Sequence, residues 1–121
     1  MEERLAAALA LFDDARYFEF HEVLEDLWRE DRTAEREFYQ GLLQAGVALH
    51  KLRLAQPASA RKLFHKGRER LRRFGSRHRG VDLDRFLGDI GAWLDEGESR
   101  ARRGLHPWPE GQAPRIVTTS V

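Results

Sequence analysis

The chain has 121 residues, 21 Lys and Arg against 20 Asp and Glu, a net charge of +1, and no cysteine. One domain fits that length, and without thiols there is no disulfide scaffold, Cys-ligated zinc, iron–sulfur cluster or thiol catalysis. The balanced charge implies no polyanionic partner, and the longest charge-free stretch, Phe38 to His50, is too short to span a bilayer.

Hydrophobic spacing is helical nearly throughout. Leu5, Leu9 and Phe12 among Ala6, Ala7, Ala8 and Ala10 predict a first helix over residues 2–12. Asp13-Asp14 offers a break or an N-cap. From 15 to 29, Tyr17, Phe20, Leu24, Leu27 and Trp28 line one stripe, and the polar run Arg29 to Thr33 forms a turn. The third helix, 33–55, is apolar almost all round through its middle, which marks the buried centre. Gln56-Pro57 ends it, because a residue before proline disfavours helical geometry. Residues 58–74 repeat Leu63, Gly67, Leu71 and Phe74, with bases on the other face. Gly75 and Gly80 punctuate. Asp82 caps a fifth helix carrying Leu83, Phe86, Leu87, Ile90 and Leu94. Pro107, Pro109 and Pro114 keep the last segment extended.

The expected fold is all-α: a compact bundle of four to five helices around an antiparallel hairpin of residues 15–30 and 33–55. Residues 1–104 form the domain, and 105–121 an extended tail packed on it or exchanged from it. Within that tail, an anchoring role for Trp108 is preferred to an exposed partner contact. Trp93, Trp108, Ile116 and Val117 can close the core within one chain. Monomer and homodimer both stay open, with a slight lean to the monomer because the fourth and fifth helices have highly charged outer faces. The start Met1-Glu2-Glu3-Arg4 lacks the basic opening of a secretory signal. The expected location is the cytoplasm, with no membrane association.

The near-zero total hides a strong asymmetry. Residues 1–37 carry twelve acids and five bases, 38–50 carry neither, and 51–79 carry eleven bases and one acid. The acidic third and the basic middle can attract each other or face different partners. In the acidic third, Tyr17 to Trp28 is the most unusual segment. His21 lies beside the apolar stripe with Glu25 one turn on, and Glu22 about 100° round. The charge-free third helix supplies Gln40, Gln44 and His50. In an antiparallel hairpin Gln44 comes level with His21, and Gln40 falls between Glu22 and Glu25. Gly41 and Gly46 then let the two backbones approach. His50 falls about two turns beyond His21, nearer Asp13 and Asp14.

Three chemistries fit this cluster. His21 and Glu25, at i and i+4, are candidate ligands for a metal, although His21-Glu22-x-x-Glu25 has Glu where the zinc-protease pattern has its second His. A His–Glu pair in a pocket also permits acid–base hydrolysis. The preferred reading is a satisfied polar network that fixes helix register, or binding of an unidentified ligand there. Catalysis is not favoured, and no nucleotide or haem motif appears. Arg61, Lys62, Lys66, Arg68, Arg72 and Arg73 make a basic surface on the fourth helix that could track phosphates. A solvated face is preferred, since no helix-turn-helix, zinc finger or aromatic platform accompanies it.

The two blocks Tyr17 to Trp28 and Phe38 to His50, in that order, resemble the signature of a small all-helical prokaryotic family, domain of unknown function 309. The resemblance covers residues 16–65 and extends more weakly through the basic helix. It implies an all-α fold built round the hairpin and carries no established activity, substrate or cofactor. Its shared residues map to His21, Glu22, Glu25, Trp28, Gln40, Gly41, Gln44 and His50. The chain departs from that pattern at Leu54-Ala55-Gln56-Pro57, where such proteins often place Gly-Asn.

Overall fold

The computed structural model describes residues 2–116; the core contribution expected of Val117 lies outside them. Helix α1 (Glu3–Asp13) starts at Glu2, whose carboxylate accepts the Arg4 N–H at 2.8 Å. It stops where Ala15 turns left-handed at φ 58° and the Arg16 N–H bonds back to Leu11 O. Helix α2 (Tyr17–Glu30) follows. The Thr33 N–H then bonds to Asp31 Oδ1 at 2.7 Å, and this turn leads into α3 (Glu35–Arg53). Helix α3 closes as α1 does, with Ala55 at φ 61° and the Gln56 N–H on Lys51 O. Pro57 occupies the first turn of α4 (Pro57–Leu71), where a missing N–H costs nothing. The helical repeat expected to run to Phe74 tightens into a single 3-10 turn over Arg72–Phe74.

A two-residue ladder not expected from the sequence comes next. Strands β1 (Arg77–His78) and β2 (Val81–Asp82) pair antiparallel, His78 opposite Val81. Arg79 and Gly80 both have positive φ, 48° and 79°, as the tightest hairpin turn demands. Strands this short carry no alternating pattern to read, and they leave the fold class all-α. Asp82 caps α5 (Leu83–Arg102) by accepting the Arg85 N–H at 3.0 Å.

Helices adjacent in sequence pack on one another, and α3 lies between α2 and α4. The α3–α4 approach is close because both sides are small. A Cβ added at Gly67 would stand 2.6 Å from the Ala45 amide nitrogen and 2.7 Å from the Gly41 carbonyl. Gly46 makes room for a side chain of α2, the Phe20 ring, where a close approach of the two backbones was expected. Gly41 faces Leu71 of α4, not α2. Phe12 joins three helices, with its ring 5.3–5.5 Å from those of Tyr17, Phe20 and Phe86. After α5, Pro107 and Pro109 are buried, and the Trp108 ring lies 5.5 Å from Trp93 and 6.2 Å from Tyr17. The Ile116 N–H bonds to Asp13 Oδ1 at 2.7 Å, joining the tail to the end of α1. No helix among the described residues is long and apolar enough to cross a membrane.

Candidate functional site

Three α2 side chains form a ladder. His21 Nε2 lies 2.9 Å from Glu25 Oε2, and the other Glu25 oxygen takes Arg29, so one carboxylate is held from both sides. Each step is one helical turn, the spacing at which side chains meet. The Phe18 ring sits 6.0 Å from the His21 ring and is 56% exposed, unusual for so large an apolar group. Glu22 is exposed and shares a polar hollow of about 230 Å³ with His21, Glu25 and Arg29, built from one face of α2 alone.

Helix α3 completes a second cleft, of about 250 Å³, in which Val47, His50 and Lys51 face Tyr17, Phe18 and His21. His50 thus lines the same cleft as His21, although axial rise alone sets it two turns away. The cause is side-chain direction. Helical side chains lean toward their own N-terminus, so in antiparallel helices His21 and His50 lean toward each other. Burial, then the charges of Arg53, Lys51 and His21, push the His50 pKa below its ordinary 6.5. Its imidazole is therefore neutral at pH 7, and among the described residues its buried Nδ1 has no hydrogen-bond partner. Burial also raises Tyr17 from 10.0 to about 12, against the opposing charge of Arg53. The Arg53 guanidinium stacks 4.8 Å from the Tyr17 ring, and its Nη1 donates to Ala15 O at 3.0 Å. Trp28 lies two turns beyond His21 along the same face of α2, under the Arg36 guanidinium at 4.6 Å.

The glutamines do not join this cluster. Gln44 is buried, but among the described residues no hydrogen bond links Gln40 or Gln44 to His21, Glu22 or Glu25, and Gln44 Oε1 is unpartnered. At 100° per residue Gln44 stands about 160° round α3 from Gly46, the residue that faces α2. It shares a flank with Glu37, two turns earlier, whose carboxylate pairs with Arg70 of α4 at 2.9 Å. Level alone placed Gln44 beside His21; its angle places it toward α4.

The basic residues separate in the same way. Arg61 turns its guanidinium to α5, donating to Glu98 at 2.8 and 2.9 Å and to Asp95 at 2.6 Å. Arg68 meets His65 at 3.0 Å, and Arg72 meets Glu69 at 3.2 Å. Among the described residues Lys62, Lys66 and Arg73 make no ion pair. A cluster absent from the sequence reading lies at the β-hairpin. There His78 Nε2 meets both Glu35 oxygens at 2.7–2.8 Å, Arg79 Nε donates to Glu35 at 2.8 Å, and the His78 ring sits 4.7 Å from both Phe38 and Phe74. The Arg79-Gly80 pair is the one sequence signal that could have shown this turn. Among the described residues no group of three or more His, Asp or Glu side chains is placed to hold a metal ion.

Residues 5–63 match the family described as "Domain of unknown function (DUF309)". Over these residues the chain is similar to DUF309. The DUF309 segment runs from α1 into α4 and contains both walls of the His21–His50 cleft. An uncharacterised protein of Aquifex aeolicus (strain VF5) is 27% identical over 95 residues, 78% of this chain and 27% of that protein. The uncharacterised protein YpuF of Bacillus subtilis (strain 168) is 36% identical over 82 residues, 67% of this chain and 41% of that protein. The chain therefore spans less than half the length of both relatives. No solved structure matches it.

Proposed function

We propose that this chain is a cytoplasmic binding domain without a chemical step of its own, and that its recognition surface is the cleft between α2 and α3. The observation that carries the reading is the exposed Phe18, which lines with His50 a cleft shared by the two helices. Tyr17, Phe18 and Val47 give the cleft apolar walls, and Lys51 gives it a cation. None of its lining residues is a Ser, Thr or Cys nucleophile, and Glu25 is already committed to His21 and Arg29.

A fragment library screened by amide NMR tests the reading. Hits should shift the resonances of residues 17–21 and 47–51, and Phe18→Ala and His50→Ala should each weaken them about tenfold. Hits that ignore both substitutions would sink it. Stoichiometric zinc, iron or manganese in untagged protein, lost on His21→Ala, would establish a metal-dependent hydrolase in its place. Nucleic-acid affinity that falls with added salt and with Lys62→Glu would move the function to the basic helix.

A further inference from the structure

A second cleft, of about 410 Å³, lies between α5 and the tail. Its size is that of a small-molecule site. Arg85 and Trp93 line it from α5, and Gln112 and Arg115 from the tail. We infer that this cleft binds a small organic carboxylate, clamped between the Arg85 and Arg115 guanidiniums.

The donor and acceptor balance carries the inference. Both guanidiniums are loosely held. Arg85 reaches Asp89 at 3.4 Å and Arg115 reaches Asp13 at 3.9 Å, against 2.6–2.9 Å for the bonds of Arg61. Asp89 is the one carboxylate lining the cleft, and Arg85 is its partner. The cleft thus offers donors in excess and asks for an anion with at least two acceptor oxygens. Guanidinium groups grip a carboxylate in just that way, with two parallel hydrogen bonds. Ala92, Ala113, Pro114 and the indole give the rest of the wall an apolar surface, which suits an organic body more than a bare inorganic ion. Because one guanidinium belongs to the helix and the other to the tail, the same carboxylate would tie the two together.

Benzoate is the probe, with inorganic phosphate as the anion control, and the indole N–H resonances are the readout. Trp93→Phe identifies the Trp93 signal. Benzoate should move that signal saturably, with half-saturation on the order of 1 mM for so few atoms. Arg85→Gln and Arg115→Gln should each weaken it about tenfold, and phosphate should move it far less. Unchanged amide shifts in the DUF309 segment would show that these variants remain folded. No saturable movement, equal movement with phosphate, or movement that survives both substitutions would each overturn the inference. None of these results depends on the cleft between α2 and α3, whose resonances report separately in the same spectra.

Discussion

Ala55 and Gly67 show how much a single backbone position can decide. Ala55 holds the left-handed conformation at φ 61°, which a Cβ disfavours and glycine does not. Ala55→Gly should stabilise the protein by about 0.5–1 kcal/mol, read from urea midpoints. Gly67→Ala should do the reverse, costing about 2 kcal/mol, because the new methyl meets backbone atoms of α3 that cannot move aside. Gly88→Ala is the control. Its added Cβ meets nothing within 4 Å, and it should gain about 0.5–1 kcal/mol.

Two elements meet acid differently. The His50 pKa lies below its ordinary 6.5, so over that window the unfolded chain binds a proton that the folded chain does not. Stability therefore falls as pH drops below about 6.5, and His50→Gln should flatten that limb. Glu35 acts lower. Burial pushes its pKa up, but the hydrogen bonds from Arg79 and His78 outweigh this and hold it below 4.5. Its contribution is present above 4.5 and is lost as pH falls further, so Glu35→Gln should flatten only the acid end. Urea midpoints measured across the pH range separate the two. At this scale the helices were legible because their apolar stripes repeat over many turns, and the caps at Asp82 and Pro57 were equally visible. The hairpin at Arg77–Asp82 was not, having too few residues to show a period. In the site, the His21–Glu25 contact follows from spacing on one helix. The place of His50 in the cleft and the departure of Gln44 needed side-chain direction and the rotation of α3, which a linear sequence does not display.

Across the whole molecule, the acidic first third and the basic middle meet mainly through Glu35 and Glu37 at the start of α3, and Arg61 turns instead to α5. Charge alone suggested attraction between the two regions without saying where. The uncommitted cations on α4 are surface groups by this measure. Lys62→Glu and Lys66→Glu should each leave stability within about 0.5 kcal/mol. Arg61→Ala, which strands two carboxylates, should cost about 1 kcal/mol by the same urea measurement.

The clasp of the tail sets an order in time. Each helix packs on its sequence neighbours, so most of the bundle can assemble by closing short loops, which is fast. Trp108 lies on Tyr17, and the Ile116 N–H bonds to Asp13 across 103 residues of chain; these contacts have nothing to hold until α1, α2 and α5 are already together. They belong to the late, downhill side of the folding barrier. Trp108→Ala should therefore leave the refolding rate nearly unchanged and raise the unfolding rate, about thirtyfold for a loss of about 2 kcal/mol. Stopped-flow measurements of both limbs in urea would show it. An equal slowing of refolding would mean that the tail helps to nucleate the fold that it closes.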